Sequence, residues 1–171
     1  NANDTMGRAH GEILGRCNFT RGVFGQAIQF VSRDDAVVIP QVDQVFAGIH
    51  DAITIAFWQK GDDSGHLNDT LLCSNYVWGR SNPALAIHLG CWRNPGQYRW
   101  DCGFPWSFDN RLAGRHRDRS EWAGRWNHWA FTKDIRTGPD GRTSCMEIYL
   151  NGAPYDRLAG TDPPNTGVPS V

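Results

Sequence analysis

The chain has 171 residues, a length that suits a single domain with a sizeable hydrophobic core. Its formal net charge of −1 excludes the strong basic excess expected of a protein that binds nucleic acid or a membrane surface. No apolar run approaches the ~20 residues of a membrane span, and no segment has the pattern of a signal peptide.

The composition favours strands over helices. Only two of the 17 basic residues are Lys and only three of the 18 acidic residues are Glu, so the usual residues of exposed helix faces are scarce. Asp, Asn, Gly and Pro favour turns, whereas Trp, Phe, Ile and Val favour strands. We therefore expect strands joined by elaborate loops. The excess of Arg fits either a binding role or a compositional bias of the source genome.

Alternation of apolar and polar residues predicts several strands after residues 1–24, which show little periodicity. The clearest strand is "DAITIAFWQKG", in which Ile53, Ile55 and Phe57 fall on one face at a period of two. The other predicted strands, in chain order, are "GQAIQFV", "AVVIP", "TLLCSNY", "ALAIHLGCW", "NHWAFTKDI" and "SCMEIYLNGAPYD".

Residues 92–125 break this pattern, because they hold four Trp and many Arg without sustained alternation. They predict a hairpin followed by a long ordered loop. Further on, Asn151-Gly152 is a strong signal for a type I′ hairpin, and the chain after Arg157 reads as loop or tail. No stretch has sustained helical periodicity. The fold class that follows is all-β, with two antiparallel sheets forming a sandwich or a barrel.

The five cysteines give no metal-binding spacing, since there is no Cys-x-x-Cys pair and no zinc-type Cys/His pattern. One or two disulfides would suit an exported protein, and the sequence leaves the pairing of the five cysteines open. The most readable pair is Cys91 and Cys102, which a hairpin about Pro95-Gly96 would bring face to face. The odd count leaves at least one thiol free or paired between chains.

Catalytic motifs are missing from the sequence. Glycoside hydrolysis needs two carboxylates in one cleft, yet Glu147 stands alone on its strand, Glu121 lies in an Arg-rich loop and Glu12 lies near the terminus. There is no Gly-x-Ser-x-Gly elbow and no phosphate-binding loop. We therefore expect a protein that is not an enzyme.

Asp34 and Asp35 in "VSRDDAVVIP" place two carboxylates in a tight turn. Such hard oxygen ligands suit Ca²⁺, although a full site needs six or more oxygens. The alternative is an aspartate turn without an ion.

His128 shares one strand face with Trp126, Ala130 and Thr132, whereas Trp129 takes the other face. No second His or carboxylate lies two residues away, so we interpret His128 as a packing residue rather than a metal ligand or a base.

The aromatic and arginine residues of the middle of the chain predict a carbohydrate site. Flat rings stack on sugar C–H faces, and guanidinium groups bind hydroxyl, carboxylate or sulfate oxygens. The alternative is that at least half of these rings pack as a second small core. The candidate ligand-binding residues are Trp78, Arg80, Trp92, Tyr98, Arg99, Trp100 and Trp106.

Four segments in order, "GVFGQAIQFVSRDDAVVIP", "ITIAFWQKG", "GRWNHWAFTKD" and "MEIYLNGAP", resemble laminin-G-like (concanavalin A-like lectin/glucanase) domains. The resemblance implies a single jelly-roll domain over residues 1–171, glycan or protein partners, and an extracellular, periplasmic or cell-surface location. Family members often bind Ca²⁺ at loop carboxylates, which strengthens the case for Asp34 or Asp35.

The chain departs from the family pattern in two ways. It lacks the family's first and last strands, so the ends are remodelled, the chain is a fragment, or a partner chain or neighbouring domain completes the sheet edges by β-addition. The long insertion around residues 91–122 is also not part of the pattern. The predicted function is a non-catalytic carbohydrate-binding module of an exported protein; the alternative is a structural or adhesive domain of an extracellular assembly.

Overall fold

The computed structural model describes residues 2–32, 34–40, 46, 49, 51–62, 69–74, 85–90, 96–102, 111–135 and 145–159. Within these ranges the chain forms antiparallel strands and one short 3-10 turn, which confirms the all-β prediction. The chain divides into two compact units, Asn1–Gly48 and Ile49–Ser170, which we call the N-terminal and C-terminal units.

The N-terminal unit contains two small two-stranded sheets. In one, β1 (Glu12–Leu14) pairs with β4 (Ala36–Val38); in the other, β2 (Asn18–Arg21) pairs with β3 (Gln26–Gln29). The prediction of β3 and β4 is confirmed, but β1 and β2 were missed. Strands of three and four residues are too short to show a clear period of two.

The C-terminal unit contains two four-stranded antiparallel sheets. The β10 sheet has the order β12-β11-β10-β5, and the β8 sheet has the order β6-β7-β8-β9. The strands of the first are β5 (Ala52–Gln59), β10 (Asn127–Asp134), β11 (Cys145–Leu150) and β12 (Ala153–Ala159). The strands of the second are β6 (Asp69–Cys73), β7 (Leu85–Leu89), β8 (Gln97–Cys102) and β9 (Arg111–Arg115).

Local sequence chemistry explains the predicted hairpin. Asn151 and Gly152 have φ values of 52° and 81°, the left-handed conformations that a type I′ turn requires. The Asn151 side chain accepts a hydrogen bond from the His128 backbone N–H at 2.9 Å and donates to Asn127 at 3.0 Å. The turn therefore joins β11 to β12 and also fixes the start of β10.

The hairpin predicted about Pro95-Gly96 is confirmed, because β8 pairs with β7 across this turn. The long loop predicted to follow it is wrong for the described residues 111–122, where β9 forms a strand of the β8 sheet and Arg119–Glu121 forms a 3-10 turn capped by the Asp118 side chain. β9 was missed because Leu112 is the only large apolar side chain among its five residues.

The two sheets of the C-terminal unit face each other as a sandwich. Trp100 of β8 lies against Phe131 of β10, with ring centroids 5.8 Å apart, and Trp129 stacks on Phe131 at 6.0 Å. The Trp100 indole also donates to the Thr132 carbonyl at 3.2 Å. All three rings are completely buried, and each contributes roughly 2–3 kcal/mol of hydrophobic stabilisation.

The predicted Cys91–Cys102 disulfide is wrong, because Cys102 is a buried free thiol. The strand register explains this result: Leu85, rather than Cys91, lies opposite Cys102 across the β7–β8 pair. Cys91 itself lies outside the described residues.

Candidate functional site

The structure places two of the predicted sugar-binding rings in the core. Tyr98 is 6% exposed and Trp100 is fully buried between the sheets, so neither offers a ring face to a sugar. Tyr98 also donates to the Asp156 carboxylate and lies 5.3 Å from the Tyr155 ring. The prediction that Tyr98 and Trp100 bind a ligand is therefore corrected: both rings pack in the core. This is the role that the alternative interpretation, a second small core of aromatic rings, gives to at least half of the candidate rings.

Arg99 differs from its two neighbours, because alternation on β8 turns it to the outer face of the β8 sheet, where it is half-buried. The remaining candidates, Trp78, Arg80, Trp92 and Trp106, lie outside the described residues. They fall in the segments that connect consecutive strands of the same sheet.

Alternation along β10 confirms the predicted strand and its faces. Trp129 and Phe131 are fully buried, whereas His128 lies half-buried on the outer face of the β10 sheet. There it packs beside Trp58 of β5, with ring centroids 5.1 Å apart. The Trp58 side chain is 42% exposed, so this aromatic pair forms part of an accessible surface.

A row of polar side chains crosses the same outer face. Strand register aligns Thr54, Thr132, Glu147 and Arg157, one residue from each of the four strands. Arg157 Nε lies 3.3 Å from a Glu147 carboxylate oxygen, and the Tyr149 hydroxyl donates to the other oxygen at 2.7 Å. Because of this bond to a carboxylate, the pKa of Tyr149 is raised and its hydroxyl stays protonated.

This row borders a shallow depression of about 300 Å³. Its lining combines small side chains, such as Ala52, Thr54 and Thr132, with the larger polar side chains of Glu147 and Tyr149. The volume lies at the lower end of the range for small-molecule sites, and the lining offers carboxylate, hydroxyl and guanidinium groups to a ligand. The lining residues are Ala52, Ile53, Thr54, Thr132, Lys133, Asp134, Cys145, Glu147, Tyr149 and Arg157.

Sequence reasoning missed this surface because it searched the aromatic-rich middle of the chain. The signal was present in the alternation of β5: where Ile53, Ile55 and Phe57 face inward, Thr54 and Trp58 must face outward. Alignment of these residues with Glu147 depends on the pairing of four strands, which a single sequence does not show.

The Asp35 carboxylate is held by hydrogen bonds within the N-terminal unit. The two oxygens of Asp35 accept hydrogen bonds from the backbone N–H groups of Arg16 (2.6 Å), Val31 (2.6 Å) and Ser32 (2.9 Å), and from the Ser32 hydroxyl (2.8 Å). These bonds lower the pKa of Asp35 and use the lone pairs that a cation would need. Asp34 is exposed, and the part of the chain that the structure describes contains no group of three potential metal-binding side chains.

A second polar cluster lies buried between the sheets. Tyr155 donates to Glu121 at 2.6 Å, and His116 Nδ1 lies 3.2 Å from the Tyr155 hydroxyl oxygen. Since the Tyr155 proton goes to Glu121, His116 must be the donor to Tyr155. The rings of Tyr98, Trp122 and Trp129 surround this histidine.

Burial lowers the pKa of His116 to about 4, so the ring is neutral at pH 7. Its side chain is 1% exposed, so it cannot reach a ligand without a structural change. The backbone N–H of Arg117 donates to Glu121 at 2.8 Å, and the Arg117 side chain donates to the Tyr155 carbonyl at 3.2 Å. The cluster therefore attaches the segment after β9 to β12 and has a structural role.

Comparison of the chain with protein-family models, with curated protein sequences and with solved structures gave no match. Within the described ranges, no helix is long and apolar enough to cross a lipid bilayer.

Proposed function

We propose that the C-terminal unit is a non-catalytic carbohydrate-binding module whose ligand lies on the outer face of the β10 sheet. The observation that carries the proposal is the polar depression beside Glu147, on the same sheet face as the exposed Trp58 indole. A sugar has apolar C–H faces and many hydroxyl groups, so it needs both an accessible ring and fixed hydrogen-bonding groups. Bonds to Tyr149 and Arg157 hold the Glu147 carboxylate in place before a ligand arrives.

An enzymatic alternative has one point in its favour, because Asp134 and Glu147 both border the depression on neighbouring strands. Glycoside hydrolysis uses two carboxyl groups that flank the scissile bond, about 5 to 10 Å apart, as acid, base or nucleophile. The Glu147 carboxylate is held by the Arg157 guanidinium and the Tyr149 hydroxyl, which fixes it as a hydrogen-bonding group and favours binding over hydrolysis.

The wider setting of this proposal is a laminin-G-like jelly-roll domain of an exported protein, located outside the cell, in the periplasm or on the cell surface. The rival function is a structural or adhesive domain. It is favoured by one observation: none of the described residues of the N-terminal unit is buried, and Phe19, Phe24 and Phe30 are 41%, 80% and 54% exposed. Such apolar exposure is typical of surfaces that contact a protein partner.

A glycan array followed by isothermal titration calorimetry tests the proposal. We expect the wild-type protein to bind neutral oligosaccharides, and both Trp58→Ala and Glu147→Gln to weaken binding at least tenfold, the loss of about 1.4 kcal/mol that one ring or one charged hydrogen bond contributes. Phe24→Ala is the control, because it removes an even more exposed ring from the other unit.

Three results would contradict the proposed site or function. Binding that survives in the Trp58→Ala/Glu147→Gln double variant but disappears in Trp92→Ala/Trp106→Ala would move the site to the loop residues predicted from sequence. Absence of all glycan binding, together with a stable oligomer in light scattering, would establish the structural alternative. Release of reducing sugar that Glu147→Gln abolishes would establish an enzyme.

A further inference from the structure

We propose that the outer face of the β8 sheet is a second binding surface, for an anionic polysaccharide that carries sulfate or carboxylate groups. This inference does not depend on the carbohydrate site of the β10 sheet, because it involves the opposite sheet and a different ligand charge.

The strand register gathers three guanidinium groups on this face. Arg99 of β8 lies opposite Ala113 of β9, and Arg111 and Arg115 lie two residues on either side of Ala113 on the same face of β9. The inward residues that alternate with them, such as Leu112, are buried. Ala113 is exposed and small, so it leaves space between the three arginines.

One carboxylate accompanies these three cations on the described part of the face. Asp101 accepts two hydrogen bonds from Arg111, from Nε at 2.5 Å and from Nη2 at 3.0 Å. Neither the Arg99 nor the Arg115 side chain has a hydrogen bond or ion pair with another described residue. Two guanidinium groups therefore remain available, although the chain as a whole has a net charge of −1.

His88 also lies in the positive environment of these arginines. It lies directly opposite Arg99 on β7, and its pKa is lowered first by burial and then by the charge of Arg99. Like charges on adjacent strands repel each other and reduce stability. A negatively charged ligand bound to this face would offset the repulsion between the arginines.

The geometry selects the kind of anion. Neighbouring strands are about 4.8 Å apart and a two-residue step along a strand is about 7 Å, so the three arginines spread over a length that one small anion does not span. Guanidinium groups bind sulfate and carboxylate oxygens through two parallel hydrogen bonds. An extended polymer with repeated negative groups therefore fits the face.

A polysaccharide fits better than a nucleic acid. Single-stranded nucleic acids bind to positive grooves in which aromatic rings stack on the bases. The outward positions of β7, β8 and β9 in the described residues carry no Trp, Tyr or Phe side chain, and the one imidazole there, His88, is half-buried. Recognition on this surface therefore depends on charge and hydrogen bonds to exposed acidic groups.

The test measures binding of dextran sulfate by isothermal titration calorimetry at low and physiological salt, with neutral dextran as the reference. We expect wild-type binding to weaken as salt increases, because salt screens the charges and competes for them. Arg99→Gln/Arg115→Gln should weaken binding about tenfold or more and flatten the salt dependence, since it removes two charged contacts but keeps the Arg111–Asp101 pair.

Two further variants keep the result interpretable. Arg21→Gln, at an exposed position of the N-terminal unit outside both proposed sites, should bind dextran sulfate as the wild type does. Arg99→Lys/Arg115→Lys keeps both charges and should retain most of the affinity, whether or not the glutamine variant changes the melting temperature.

The proposal is overturned if the wild-type protein does not bind dextran sulfate, or if the glutamine variant binds it as tightly as the wild type does. Equally strong binding of DNA that the same variant loses would identify a general polyanion surface instead. If Trp58→Ala loses neutral-glycan binding but still binds dextran sulfate, the two binding sites are independent of each other.

Discussion

The N-terminal and C-terminal units are both built from antiparallel strands but differ greatly in burial. In the C-terminal unit, Trp100, Trp129 and Phe131 are completely buried between two sheets. In the N-terminal unit no described residue is buried, and Phe24 is 80% exposed. A two-stranded sheet with strands of three or four residues has too little apolar surface to form a core of its own. The difference shows that a strand pattern predicts the face of the sheet on which each side chain lies. Whether that side chain is buried depends on a second sheet that packs against the face.

Among changes that compare the two units, truncation of a core ring should have the largest effect on the free energy of unfolding. We expect Trp129→Ala to lower the free energy of unfolding by about 3–5 kcal/mol, since it opens a cavity beside Phe131 and Tyr155. Phe24→Ala should change it by less than about 0.5 kcal/mol. Urea unfolding measures both, and a large effect of Phe24→Ala would mean that a partner covers this ring in solution.

Acid should act on the two units in different pH ranges. The folded-state pKa of His116 is about 4, below its usual value of 6.5, so the unfolded chain binds more protons between these values. Stability is complete above pH 6.5 and falls by roughly 3 kcal/mol as the pH approaches 4. In the N-terminal unit, the pKa values of Asp4 and Asp35 are lowered, so their contribution is lost only below about pH 3.8.

Thermal unfolding between pH 3 and 8 tests this difference. His116→Phe should remove the loss of stability between pH 6.5 and 4, because no buried imidazole remains to be protonated. Tyr155→Phe should retain that loss, since burial rather than the hydroxyl is the main cause of the low pKa. An unchanged pH profile in His116→Phe would contradict the assignment.

A substitution in the Asn151-Gly152 turn should lower the free energy of unfolding by less than the changes in the core do. Gly152 has a φ of 81°, and a Cβ atom there would meet no atom within 4 Å. Gly152→Ala should therefore cost about 1 kcal/mol, from backbone conformation alone. Chemical denaturation with Ala153→Gly as a neighbouring control distinguishes this backbone cost from a general loss of the turn.

Addition of calcium should have the smallest effect on stability. Since Asp35 already accepts four hydrogen bonds, millimolar CaCl₂ should leave the melting temperature unchanged. Asp35→Ala should instead increase hydrogen exchange at the amides of Arg16 and Val31, which lose their acceptor. A calcium-dependent increase in melting temperature that Asp35→Ala abolishes would restore the ion site.

The strands that sequence predicted well are those with a long, regular alternation. β5 and β10 have eight residues each, and their inward faces were assigned correctly from Ile53, Ile55 and Phe57 and from Trp129 and Phe131. The β9 strand was missed because Leu112 is the only large apolar side chain among its five residues. The candidate site was predicted less well, since only Arg99 among the described candidates lies on an accessible face.

By itself, the sequence determined what depends on neighbours along the chain: the all-β class, the longer strands and the Asn151-Gly152 hairpin. These follow from alternation and turn conformation, which are local properties. Only the tertiary structure decided that Trp100 belongs to the core while Trp58 faces solvent. Both lie on strands of the same kind, and the position of the opposing sheet decides which ring is covered.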